Sequence, residues 1–237
     1  MASIDFQTTS LPRRFEERGS REYPHRDGRP MGETDVHRNV MFETIETLKA
    51  YYAGQQVYVT GNLLVFYKPG DKRRQVSPDS MVVKGAPPGL RLNYLIWEEG
   101  FSPNVVIEIT SPSTRREDLK KKFEVYRDEM KVNEYFLFDP KNEYLKPQLQ
   151  GYRLREGQYL SIEPVSGRLP SGELGLHFES AGEQLRIFDP ALSRWLPTVQ
   201  EARDLAEEAL DNAQRENERL QHELEMLRQR LGSEGKS

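Results

Sequence analysis

Asp79, Glu108 and Lys122 are the residues of this chain whose types and surroundings could do chemistry together. Asp79 follows Pro78 and precedes the apolar run Met81-Val82-Val83. Glu108 interrupts Val105-Val106-Ile107 and Ile109, where a lone carboxylate is costly unless it is paired or bound to a metal. Two carboxylates from neighbouring strand ends can hold a hard divalent cation, usually Mg²⁺, which takes oxygen ligands and keeps several waters. Such a cation lowers the pKa of bound water and offsets charge on a phosphate. A lysine beside it can orient the attacking water and stabilise an anionic transition state. The chemistry this trio suits is hydrolysis of a phosphodiester. Each residue also has a plainer explanation: a strand-end or ion-paired glutamate, turn chemistry after proline, and a solvated lysine.

Lys120, Lys121 and Lys122 are adjacent, so the choice among them rests on helical geometry. At about 100° per residue, the stripe of Leu119, Phe123, Tyr126 and Met130 leaves Lys121 pointing away. Lys120 then lies about 90° from the stripe and Lys122 about 70°. Lys122 therefore borders the buried face, by a small margin. Asp118, four residues before it, is placed as its i, i+4 partner in the better orientation.

These residues must be positioned by regular elements. Met41, Ile45, Leu48 and Tyr52 predict a helix over residues 33–52, with Gly54 near its C-cap. Strands are expected over 56–60 and 63–67, with Gly61-Asn62 as a tight turn between them. Val105–Ile109 and Glu134–Phe138 read as buried strands, since apolar residues dominate without alternation. Thr114 and Glu117 have capping-box spacing ahead of the helix that carries Lys122. Ending a strand and capping this helix accounts for Ser111, Ser113 and Thr114, so they are not read as nucleophiles. Short strands near 151–154, 159–164 and 184–188 suggest antiparallel hairpins at the edge. The order predicts an α/β (α+β) domain with helices against a mixed β-sheet.

Composition bounds the rest. Of 237 residues, 36% are hydrophobic and 30% charged, too polar for one uniformly packed globule. The polarity is concentrated at the ends: residues 1–30 hold 7 hydrophobics, and residues 198–237 hold 12 with no aromatic. The expected organisation is an irregular arm over 1–30, a folded domain over 31–197, a helix over 198–231 and a disordered end over 232–237. With no cysteine, disulfide scaffolds, thiolate zinc sites and thiol nucleophiles are excluded. No run of 18 apolar residues and no signal-peptide stretch occurs, so the expectation is a soluble cytoplasmic protein without membrane association. A net charge of −4 argues against holding nucleic acid by bulk electrostatics. Arg73-Arg74, Arg115-Arg116 and the three lysines could form a local basic groove, or be scattered surface charge.

In the tail, Leu210, Asn217, Leu224 and Leu231 recur every seven residues, interleaved by Ala206, Ala213, Leu220 and Leu227. With Leu210 at a, Asn217 is a polar a residue, which favours a parallel, in-register two-stranded coil. Glu223 at g and Arg228 at the following e′ are an attractive pair. A homodimer through this coiled coil is the expectation; a single helix folded back on its own domain is the alternative.

Met31-Gly32-Glu33-Thr34-Asp35-Val36-His37-Arg38, Pro78-Asp79, the segment Val106-Ile107-Glu108-Ile109-Thr110-Ser111-Pro112-Ser113-Thr114, Asp118 with Lys122 and Tyr126, and Glu134-Tyr135-Phe136-Leu137-Phe138-Asp139-Pro140 occur in that order. Together they resemble the bacterial Uma-two family of restriction endonucleases, within the restriction-endonuclease-like PD-(D/E)xK nuclease superfamily. The resemblance spans roughly residues 31–200. It implies a restriction-endonuclease-like fold and a Mg²⁺-dependent (or Mn²⁺-dependent) endonuclease acting on nucleic acid, DNA rather than RNA. It also implies Asp79 and Glu108 as metal ligands, the Ile109 backbone carbonyl as a third, and Lys122 as the catalytic lysine. The superfamily pattern puts lysine two residues after the glutamate, where this chain has Thr110, so the lysine comes from the next helix. Glu33 matches an acidic residue that can complete the site, with His37 beside it. The alternative is a catalytically silent nuclease-fold module that binds or assembles through its coiled coil. A third possibility is a folded-back tail helix that regulates access to the site.

Overall fold

A computed structural model describes residues 18–25, 34–111 and 114–234. Within them the chain forms helix α1 (Asp35–Tyr51), strands β1 (Val57–Thr60), β2 (Val65–Phe66), β3 (Gln75–Val76), β4 (Ser80–Lys84) and β5 (Tyr94–Leu95), and the one-turn helix α2 (Ile96–Glu99). Strand β6 (Val105–Ile109) leads into a helical segment, which leads into β7 (Glu134–Phe138) and β8 (Leu149–Arg155). Then follow β9 (Gln158–Ser161), β10 (Leu169–Ser171), β11 (Leu176–Ala181), β12 (Gln184–Asp189), β13 (Arg194–Trp195) and helix α3 (Val199–Glu234). By compactness the chain divides into two units, Met1–Trp195 and Leu196–Ser237.

The first unit is built on a six-stranded sheet in the order β1-β4-β6-β7-β8-β9. Within this sheet β6 and β7 are the one parallel pair, because the helical segment between them supplies the crossover that parallel neighbours need. Both strands are buried along their whole length, which fits their mainly apolar, non-alternating sequences and places Glu108 inside the core. Their bounds are those expected from sequence. Helix α1 presents Met41, Ile45 and Leu48, all buried, and packs against β1 and β4. Its N-cap is Thr34, whose hydroxyl accepts from the His37 amide, and this fixes where the residues after it point.

The expected hairpin at Gly61-Asn62 does not form. Strand β1 pairs with β4, and β2 joins a separate three-stranded sheet with β3 and β5. Gly61 instead presses its backbone against Pro78-Asp79: a Cβ there would lie 1.9 Å from the Asp79 carbonyl oxygen, and the Asn62 amide bonds the Pro78 carbonyl at 2.8 Å. The close approach needs a residue with no side chain.

A four-stranded antiparallel sheet, β10-β11-β12-β13, completes the unit and was expected only at β12. Buried Glu134 ties it to the main sheet, accepting from Arg153 Nε at 2.8 Å, the Gly172 amide at 2.9 Å and the Ser171 hydroxyl. The Phe136 and Phe178 rings meet edge to face beside it. Part of the N-terminal arm is also pinned to the unit. Arg18 bridges Arg91, and Tyr23 packs between Phe66 and Trp97. The remainder of the 1–30 arm, apart from 18–25, lies outside the described residues.

The helical segment after β6 departs from the expected α-helix. Residues Glu117–Lys122 and Val125–Glu129 are π-helical, with i→i+5 bonds such as Met130 N–H to the Val125 carbonyl at 3.0 Å. Such wide turns are rare and occur frequently at functional sites. The Thr114 hydroxyl accepts from the Ser111 amide at 3.1 Å, which folds the strand end back onto the helix start.

In the second unit α3 is one 36-residue helix, running three residues past its expected end. Every side chain from 200 to 228 is exposed, including Leu210, Leu220, Leu224 and Leu227. Among the described residues no helix is long and apolar enough to cross a membrane.

Candidate functional site

Four elements converge where the C-terminal half of β6 meets the start of β4. Strand β6 brings Glu108, fully buried; the turn before β4 brings Asp79; the first π-helical segment brings Lys122; and the first turn of α1 brings His37. The structure thus gathers Asp79, Glu108 and Lys122, far apart in sequence, into one place.

Glu108 is held from both sides. Its Oε1 accepts from the Tyr126 hydroxyl at 2.6 Å and its Oε2 from the Lys122 ammonium at 2.8 Å. The Asp79 amide lies 3.4 Å from the same Oε2, so that oxygen faces Asp79. Asp79 Oδ2 accepts from the Ile109 amide at 2.8 Å, and its Oδ1 lies 3.4 Å from His37 Nε2. Lys122 also reaches Asp118 Oδ1 at 3.3 Å, the i, i+4 pairing expected from sequence. Asp118, itself buried, accepts from the Thr110 hydroxyl at 2.8 Å, and that hydroxyl also meets the Tyr144 hydroxyl. Thr110, the residue two after the glutamate, is therefore joined to Lys122 through Asp118.

The electrostatics follow from burial and from three carboxylates facing one ammonium. Burial opposes the charge of Lys122, but Glu108, Asp79 and Asp118 outweigh it and hold the ammonium above the usual lysine range. Lys122 is therefore a fixed cation at neutral pH. Burial pushes the Glu108 carboxyl well up; Lys122 opposes this, while Asp79 and Asp118 add to it. Burial also pushes Asp79 up, yet His37 and Lys122 prevail and leave its carboxyl below the usual range. The Asp79, His37 and Lys122 side chains are 15%, 11% and 14% exposed, so the site opens narrowly to solvent on their side.

The donor set fits a hard divalent cation. Two adjoining carboxylates offer oxygen, and the charge that burial chiefly, and the neighbouring Asp79 and Asp118 secondarily, make costly on Glu108 is what a cation would offset. Among the described residues no group of three His, Cys, Asp or Glu is arranged as a metal cage. The carboxylate oxygens of Asp79 and Glu108 are the ligand type that hard divalent cations take.

Other sequence expectations fall as follows. Ile109 is buried in β6, with its amide committed to Asp79. Glu33 lies outside the described residues, as do Met31, Gly32, Pro112 and Ser113. Lys120 and Lys121 are exposed, with Lys121 paired to Glu117. Tyr126, read from sequence as one more core residue of the helix stripe, has its hydroxyl on Glu108. Its spacing of four from Lys122 was the available signal that both share a face. Arg115 stacks over the Tyr144 ring, 5.1 Å from its centroid, at the outer end of the Thr110 network.

A sequence model of the Uma2 family, described as "Putative restriction endonuclease", matches residues 9–185. A crystal structure described as a putative nuclease belonging to DUF820, from Anabaena variabilis, is similar at TM-score 0.47 and 18% identity. That similarity covers 65% of this chain and 85% of the other. No curated protein matches the chain.

Proposed function

The chain belongs to the Uma2 family of putative restriction endonucleases, and on that premise we propose that it is a Mg²⁺- or Mn²⁺-dependent endonuclease that hydrolyses phosphodiester bonds of DNA. The observation that carries this reading is the meeting of Asp79, Glu108 and Lys122. Asp79 and Glu108 would hold the cation, with the Ile109 carbonyl as a backbone donor and Glu33 as a further acidic group. When bound there, the cation supplies activation of a water nucleophile and charge neutralisation at the phosphate.

The chain's own residues do the rest. Lys122, kept cationic by three carboxylates, cannot serve as a base. Its ammonium orients the attacking water and stabilises charge on the phosphate oxygens as the phosphorus–oxygen bond breaks. Asp79 is fixed by the Ile109 amide on one oxygen and by His37 on the other, so its orientation is set before substrate arrives. Glu108, held by Tyr126, keeps one oxygen towards Asp79.

The test is cleavage of plasmid and short duplexes with Mg²⁺ or Mn²⁺, comparing wild type with Asp79→Ala, Glu108→Ala and Lys122→Ala. Metal-dependent cutting that each substitution abolishes is expected. Absence of cutting on DNA and RNA, or cutting that ignores these substitutions, overturns the catalytic reading.

The exposed leucines of α3 favour a second element of function: homodimerisation through a parallel coiled coil, with Leu210, Asn217 and Leu224 at a positions. In a catalytically silent protein this assembly would itself be the function. Cleavage separates the two.

A further inference from the structure

We propose that Tyr126 is a positioning residue for Glu108: it occupies Oε1 and so keeps Oε2 turned to the Asp79 side, where the two carboxylates would hold a cation. This rests on the metal-dependent reading above and assigns a role to a residue that reading does not require.

The geometry divides the two carboxylate oxygens cleanly. Oε1 accepts from the Tyr126 hydroxyl at 2.6 Å, while Oε2 faces the Lys122 ammonium at 2.8 Å and the Asp79 amide at 3.4 Å. Tyr126 is completely buried, so its hydroxyl needs a partner inside the protein. Its ring stands edge-on to Tyr135 at 5.1 Å, and its backbone carbonyl accepts from the Val132 amide at 2.8 Å. The donor thus sits on a ring that cannot swing away. The neighbouring Tyr135 hydroxyl is turned to the Asp118 carbonyl at 3.1 Å, which leaves Tyr126 to serve Glu108. Lys122 is on the more exposed side of Glu108, at 14% exposure, while Tyr126 is wholly enclosed. Carboxylates that bind metals are themselves oriented by hydrogen bonds, and losing such a partner costs about 10–100-fold in affinity or activity.

The experiment titrates the metal-stripped full-length chain with Mn²⁺ alone, without nucleic acid, following free Mn²⁺ by electron paramagnetic resonance. Wild type is compared with Tyr126→Phe, Glu108→Gln and Tyr94→Phe. Tyr94 controls for the loss of any buried hydroxyl, since it is also fully buried and bonds the Phe101 carbonyl. The Phe variant keeps the ring packing on Tyr135, and Tyr126→Met fills the space without a donor to repeat the test with different packing. Binding about 10-fold weaker or worse in both Tyr126 variants, unchanged in Tyr94→Phe and lost in Glu108→Gln, is the expected result. Wild-type affinity in folded Tyr126 variants overturns the positioning role and leaves the metal reading standing. Wild type that shows no Glu108-dependent Mn²⁺ binding overturns both.

Discussion

The Lys122 ammonium and the Glu108 carboxylate, 14 residues apart in sequence, meet at 2.8 Å where a π-helical turn crosses the buried strand β6. Glu108 is wholly buried and Lys122 nearly so, so neither charge has water to fall back on. Breaking such a pair from one side leaves an uncompensated charge in the core.

Lys122→Met should therefore destabilise the protein, by at most about 3–5 kcal/mol, and by less as Glu108 takes up a proton in place of its lost partner. Urea unfolding checks this. Adding Glu108→Gln should recover part of the loss, because the stranded carboxylate is gone; a double substitution that costs the full sum of the singles contradicts the pairing.

Glu108→Gln alone gives a pH signature. Because burial raises the folded carboxyl, Glu108 favours the folded state most below its unfolded pKa of about 4.3, where it is protonated in both states. As pH rises towards its folded pKa, that contribution is lost at up to about 1.4 kcal/mol per pH unit. Wild type should thus lose stability relative to Glu108→Gln as pH climbs from 4, with chelator present throughout. Parallel melting curves across that range would show that Glu108 does not titrate differently on folding.

Gly61→Ala places a methyl 1.9 Å from the Asp79 carbonyl oxygen and 2.6 Å from Ile45. The obstruction is backbone, so relief must come from moving the turn that carries Asp79. A destabilisation of about 1–3 kcal/mol is expected, together with a larger loss of cleavage than of stability. Wild-type cleavage in this variant would mean Asp79 tolerates displacement.

For the tail, light scattering should find a dimer for the full chain and a monomer for a chain ending at Thr198. Asn217→Leu should raise the melting temperature of the dimer and admit higher oligomers, since a polar a residue trades stability for a two-stranded register. Monomers in both chains refute the coiled coil.

How much was legible in the sequence depended on element length. Strands β6 and β7 are five-residue segments with four apolar residues each, and α1 carries an apolar stripe; all three are readable. Strands β2, β3 and β5 have two residues each, too few for any periodicity. The partner of β1 was missed because Gly61-Asn62 looks like a hairpin turn, while its use is a long-range approach to Asp79. Asp79, Glu108 and Lys122 could be named because a charge beside apolar neighbours stands out. Tyr126 stands beside Asp118 and Lys122 in the family motif, but its bond to Glu108 is not legible, since a buried tyrosine satisfying a carboxylate and one filling a core look alike in sequence.

The wide turns between β6 and β7 make chain length matter as much as residue identity. Asp118, Lys122 and Tyr126 reach their partners at spacings of four along a helix wound with i→i+5 bonds. Removing one residue between 118 and 126 would turn everything downstream by roughly a quarter of a turn relative to Asp118. Codon changes at exposed Lys120 and Lys121 should be tolerated, whereas an in-frame deletion of either codon should silence the gene product.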